Sequence, residues 1–179
     1  MRLKNQENAR PRAARRSESV ILFTVSSHLF AIAANAVHEI RSTDSLSGVA
    51  TPFVHPELVK VRHVLQREHR PYYVVNACAQ FHLPISRPLL VLVLRDRRAA
   101  VLVDRIERMT EITMLHALPQ AFGGEERQWY RGLALLSDRV IPVVNPSAFL
   151  TDRELKLIEA AQPGDAAGGS ATAGGAVSV

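Results

Sequence analysis

Seven histidines, one cysteine and a Gly-Gly pair are the residues of this 179-residue chain that invite a search for chemistry. His28, His38, His55, His63, His69, His82 and His116 would hold a metal only at ligand spacing, such as two His one helical turn apart beside a Glu. No such spacing occurs: between His63 and His69 the only carboxylate is Glu68. They read as solvent-exposed or loop histidines, and no metal is expected. Cys78 would need a neighbouring base to act as a nucleophile, and it reads instead as a small buried hydrophobe. Gly123-Gly124 lacks the Lys-Ser or Lys-Thr that follows a phosphate-cradling loop. Asp104 ends a strand-like run, where a lone carboxylate caps a turn or pairs. No acid, base and nucleophile assemble, so neither catalysis nor a cofactor is expected.

The rest of the chain must then explain itself by binding. It is 47 % hydrophobic and 22 % charged, enough for one domain with a core and not a disordered composition. No run approaches the roughly 18 apolar residues of a membrane span. A basic N-terminus without an apolar segment behind it is no secretory signal. A single cysteine forms no internal disulfide, which fits a cytoplasmic protein. The net charge is +5, but +4 of it lies in residues 1–18. A nucleic-acid binder carries its basic stripe on the fold, so this tail is weak support for that reading.

Two tails flank the core. Residues 1–18 show no apolar periodicity, and 162–179 are Ala, Gly, Ser, Thr and Val almost throughout. Both are expected to be disordered. Between them, residues 19–161 are a series of short β-like runs. Val20–Val25 and Leu29–Ile32 flank Ser26-Ser27, a hairpin pattern. Leu89–Leu94 and Ala99–Val103 flank the charged tip Arg95-Asp96-Arg97-Arg98. Leu133–Leu136 and Val140–Val144 flank Ser137-Asp138-Arg139. Runs at 58–65, 72–75 and 106–114 complete the set. Ala33–Arg41 is richer in helix formers, and its Val37 and Ile40 are three apart, as on one face of a helical turn. One further helix is expected, opened by the Thr151…Glu154 capping box, with Leu155, Ile158 and Ala161 on one face.

The chain also echoes itself. Arg70–Ala79 aligns with Arg139–Ala148 at an offset of 69 residues, with Arg, Val, Val, Asn and Ala coinciding. Each copy is a strand ending in Asn, whose side chain can bond backbone groups where the chain turns. Two similar halves imply two subdomains, each a small barrel.

Three segments carry a family resemblance. They are V-I-L-F-T-V-x-x-x-L-F-A-I-x-x-x-x-V-H-E-I-R at 20–41, the hairpin ending V-L-V-D-R-I at 101–106, and Y-R-G-L-A-L-L-S-D-R-V-I-P-V-V-N-P-S-A-F-L at 130–150. Together they resemble the CheW-like chemotaxis adaptor (coupling protein) family over residues 19–161. The resemblance implies a mainly β fold: two five-stranded β-barrel subdomains sharing a hydrophobic contact, with a short C-terminal helix. It implies no catalysis. It implies docking onto the regulatory domain of a CheA-type histidine kinase and onto the cytoplasmic tip of a methyl-accepting chemoreceptor, in the cytoplasm at membrane-associated arrays and without membrane insertion.

The partner-binding residues it implies are Val37, Glu39 and Ile40 in V-H-E-I-R, Ala100 at a position often Gly, Gly132 at the Gly of the final hairpin, and Glu68. The departure lies at 63–70. The family pattern there is G-x-x-N-L-R-G, and this chain reads His63-Val64-Leu65-Gln66-Arg67-Glu68-His69. Both glycines are histidine, Glu68 stands at the Arg position, and Arg67 sits one residue earlier. Glycine there supplies positive φ, which His adopts at a cost. That departure leaves open a divergent accessory module with a single partner, in a motility or pilus system. A basic-tailed nucleic-acid binder is the reading from another class.

Overall fold

The computed structural model describes residues 17–46, 56–67 and 69–161. Ten strands carry the architecture: β1 Glu18–Val25, β2 His28–Ala33, β3 Val37–Ser42, β4 Val61–Arg67, β5 Arg70–Asn76, β6 Leu90–Leu94, β7 Ala99–Val103, β8 Arg105–Ile112, β9 Tyr130–Leu136 and β10 Arg139–Val144. Three helices join them: α1 Ala77–Gln80, α2 Glu126–Trp129 and α3 Asp152–Ala161. The expected tails at 1–18 and 162–179 lie outside the described residues, apart from Ser17 and Glu18. Glu18 already opens β1, and its carboxylate accepts from Arg131 at 2.5 Å.

The strands form two five-stranded sheets, in the order β8-β1-β2-β10-β9 and β3-β6-β7-β5-β4. The two orders superpose strand for strand. Each has a central antiparallel hairpin, β1-β2 or β6-β7. Each then has a strand running parallel to the hairpin's second member: β10 beside β2, β5 beside β7. The sequence echo marks this relation. Asn76 Oδ1 accepts from Cys78 N–H at 2.9 Å and Ala79 N–H at 3.4 Å, and Asn145 Oδ1 accepts from Ser147 N–H at 3.2 Å. Asn76 ends β5, Asn145 directly follows β10, and each caps the helical turn that leaves its strand.

Local chemistry sets the turns. Ser26 and Ser27 have φ of 48° and 67°, and Ser137 and Asp138 have 47° and 63°. Positive φ at both central residues gives the hairpin turn whose twist matches the strands. Asp104 holds the first of these turns in place: its Oδ2 accepts Ser26 N–H at 2.6 Å and its Oδ1 accepts Ser86 Oγ–H at 2.5 Å. Cys78 is buried, as its type suggests, with Sγ 3.1 Å from Ser86 Oγ.

Three apolar clusters follow from this geometry. Val20, Leu22, Ala31, Ile112, Ala134, Ile141 and Val143 fill the curl of the first sheet. Leu46, Leu65, Val74, Val91, Val93, Ala100 and Leu102 fill that of the second. The largest cluster lies between the sheets, around Phe23, Ile32, Leu92, Leu94, Val101, Phe149 and Ile158. Strands β6 and β7 serve two clusters at once, so they are apolar on both faces and read as unbroken runs.

The expected barrels are therefore two strongly curled sheets rather than rings of continuous backbone pairing. The first sheet closes through one isolated bridge beyond β8: His116 N–H donates to Leu133 O at 2.8 Å, and Leu133 N–H returns to His116 O at 2.9 Å. In the second, side chains of β3 and β4 meet across the edge.

The helical reading of Ala33–Arg41 is corrected. Only Ala34–Ala36 form a 3-10 turn, and Val37–Ser42 is the edge strand β3, drawn into the sheet by pairing with β6. Val37 and Ile40 still share a face, for another reason. A bulge at His38 inserts one residue, so Val37 lies opposite Leu94 and Ile40 opposite Leu92. The capping box of α3 forms as expected: Thr151 N–H donates to Glu154 Oε2 at 2.8 Å, and Glu154 N–H donates to Thr151 Oγ1 at 3.2 Å. Ile158 is fully buried, but Ala161, expected on the same face, is exposed.

Candidate protein-docking surface

The docking candidates divide among three places. Val37, Glu39 and Ile40 come together on β3, at one edge of the second sheet. Val37 is core, 7 % exposed, and Ile40 is 43 % exposed on the same face. Of the two, only Ile40 offers apolar area to a partner. Glu39 points to the other side, in register with Val93, which in turn pairs with Ala100. Ala100 is fully buried in the curl, so it can affect docking only by setting how β6 and β7 pack beneath Glu39. Glu68 lies outside the described residues.

Gly132 belongs to the other sheet. A Cβ built on it would meet His116 O at 2.4 Å and Leu115 Cγ at 2.7 Å. Its glycine is required by the closing bridge of the first sheet. His63 is its counterpart: Gly132 pairs with Val143 and His63 with Val74, positions related by the echo. The second histidine of the divergent segment, His69, turns the β4-β5 hairpin with φ of 63°, the conformation that a glycine would take without cost.

The electrostatics of β3 depend on residues the sequence reading left aside. Glu39 Oε1 lies 2.9 Å from Arg41 Nε and 3.6 Å from Arg67 Nε. That oxygen is buried, and neither contact is aligned as a hydrogen bond, so both act as charge contacts. Arg67, at the end of β4, also donates from Nη2 to His38 Nε2 at 2.5 Å, and its guanidinium lies 6.0 Å from the ring centre of Tyr72. His38 and Tyr72 carried no sequence signal for this role, since their meeting depends on how the sheet curls. Arg67 was visible only as an arginine one position out of the family pattern.

Elsewhere, a cleft of about 890 Å³ opens among α1, α2 and the start of α3, lined by His82, Arg97, Trp129 and Glu154. Its charges are largely spent within the fold: Lys60 contacts Glu154 at 2.7 Å, and Arg97 contacts Asp152 at 2.7 Å. Beside it, burial and then the charge of Glu126 push the Tyr130 phenol up to about 12. Among the described residues, no three His, Cys, Asp or Glu converge as a metal site, and no helix is long and apolar enough to cross a membrane.

The comparisons agree with this architecture. The family model of the CheW-like domain matches residues 19–154. Among solved structures, the chain is similar to the scaffolding protein TtCheW from Thermoanaerobacter tengcongensis, with a TM-score of 0.62 and 13 % identity over 73 % of this chain and 90 % of that one. At that identity the likeness is one of fold. No curated protein sequence matches the chain.

Proposed function

The chain belongs to the CheW-like domain family, and from that membership we propose that it is a non-catalytic adaptor of bacterial chemosensory signalling. In this reading it works in the cytoplasm, coupling the tip of a chemoreceptor to the regulatory domain of a CheA-type histidine kinase. The observation that carries the reading is the match over 19–154, which spans both sheets and the start of α3. Two sheets packed over one shared core offer separate surfaces to two partners. The edge strand β3 supports the same reading, because it sets an exposed Ile40 beside charged groups, and a partner helix can lay an apolar face there.

The test is a titration of the purified protein against a receptor-tip fragment and a kinase regulatory-domain fragment from the same genome. Ile40→Asp should weaken one of these contacts while leaving the melting transition in place, since Ile40 is exposed. Val37→Asp should unfold the domain, because it buries a charge in the shared core. Binding to only one fragment would favour the single-partner accessory module. Wild-type protein that binds neither fragment would refute the adaptor reading, and strongly salt-dependent retention on DNA would point to the nucleic-acid alternative.

A further inference from the structure

We propose that the cleft among α1, α2 and the start of α3 is a peptide-docking site, which takes an extended partner segment with a main-chain carbonyl at its floor and a lysine or arginine at its rim. It is separate from the β3 edge, since no residue of that strand lines it. Two nitrogens at the floor carry the inference. Gln80 is 5 % exposed and Trp129 8 %, and both line the cleft. Lys60 Nζ, which can only donate, lies 2.7 Å from Gln80 Oε1 and so fixes which end of that amide is oxygen. The other end, Nε2, makes no hydrogen bond among the described residues, and neither does the indole N–H of Trp129. If they were sealed in, both would be buried orphans, and among the described residues the side-chain atom of that kind is Glu39 Oε1. Both N–H groups therefore open onto the cleft. The Trp129 ring is held against Phe81 at 6.0 Å and His82 at 5.2 Å, so its N–H is fixed in direction.

The charges select the acceptor. Lys60, Arg97 and Arg153 are matched in turn by Glu154, Asp152 and Glu57, at 2.7, 2.7 and 2.8 Å. Glu125 is a lining carboxylate with no ion pair among the described residues. A phosphate or carboxylate ligand would meet neutralised cations and one unmatched negative charge, a juxtaposition that disfavours it. A peptide carbonyl brings an acceptor without charge and suits two neutral donors. The spacing fits a chain as well. Glu125 has helical φ and ψ of −68° and −33°, one turn before Trp129. That is about 6 Å along the axis, or roughly two residues of extended peptide. Residues two apart in an extended chain point the same way, so a carbonyl at the floor places a basic side chain at Glu125.

The single tryptophan gives the readout, because the chain has one indole N–H resonance. It is followed in isotopically labelled full-length protein while the blocked peptide acetyl-Ala-Ala-Lys-Ala-Ala-amide is added. The peak should move downfield and saturate, with a Kd on the order of 1 mM for so short a segment. Glu in place of the peptide's Lys should weaken binding about fivefold, and Glu125→Gln should erase that difference. Gln80→Leu removes the amide donor and leaves Lys60 its partner Glu154, and it should weaken binding about five- to tenfold. The side-chain amide resonances of Gln80 in the wild type should shift in the same titration, which keeps the floor testable if Gln80→Leu does not fold. An indole peak that stays in place, or drifts without saturating, would overturn the proposal. Equal affinity for the Lys and Glu peptides would overturn it too. Acetyl-lysine amide binding as tightly as the full peptide would assign the cleft to a small molecule and overturn it as well. None of these outcomes depends on which partner meets β3.

Discussion

Replacing Gly132 by alanine should cost more stability than any other single methyl group added to the described glycines. The new Cβ would stand 2.4 Å from His116 O, where backbone cannot yield as a side-chain tip can. Leu115 Cγ at 2.7 Å blocks the other direction, and Leu115 packs against the interior of the first sheet. Relief requires the segment around His116 to move off β9, which breaks the paired bonds of 2.8 and 2.9 Å that close the sheet. Each is worth about 0.5–1.5 kcal/mol net. Displacing Leu115 adds about 1 kcal/mol of lost packing. The lower chain entropy of unfolded alanine returns about 0.4–1 kcal/mol. The net loss is on the order of 2–3 kcal/mol, equivalent to roughly 5–10 °C in melting temperature for a chain of this size. Urea unfolding followed by the fluorescence of the single tryptophan, Trp129, measures it directly, because that ring is buried at the end of α2, just before β9. Gly123→Ala is the matched control, since nothing lies within 4 Å of its Cβ. If Gly132→Ala unfolds within about 0.5 kcal/mol of wild type, the bridge does not close the sheet in solution and the argument fails.

Asn76→Ala and Asn145→Ala should each destabilise by about 1 kcal/mol, since Asn76 Oδ1 accepts from two N–H groups while Asn145 accepts from Ser147 N–H and donates from Nδ2 to Gln128 O at 3.1 Å; equal melting of all three proteins would show that the caps are idle. Tyr130 sets an alkaline limit: its phenol ionises near 10.0 when unfolded and is pushed up to about 12 when folded. The folded state therefore holds that proton more tightly. Its contribution is complete below pH 10 and is lost as pH rises from about 10 to about 12. Urea midpoints of wild type should fall more steeply over that interval than those of Tyr130→Phe, and parallel slopes would contradict the burial argument.

What could be read from the sequence was what short-range chemistry decides. The Ser26-Ser27 and Ser137-Asp138 hairpins, the Thr151–Glu154 box and the capping role of Asn76 and Asn145 each involve residues within a few positions of one another. The alternation of apolar runs and tight turns likewise announced a mainly β fold, and the 69-residue echo announced its two related halves. The cost of histidine at a glycine position was visible too, and His69 carries it as positive φ.

Tertiary structure alone decided how the docking edge is made. The spacing of Val37 and Ile40 fits a helix as well as a bulged strand, and only pairing with β6 selects the strand. Which of the two is buried depends on how far the opposite sheet covers that face, a distance no local pattern encodes. Gly132 needs its missing Cβ because a segment 16 residues earlier in the chain passes over it. Arg67 meets His38 and Glu39 because the sheet curls until its outer strands face each other. A curl is the summed twist of five strands and their packing on the second sheet, so it belongs to the whole fold and to no segment of the sequence.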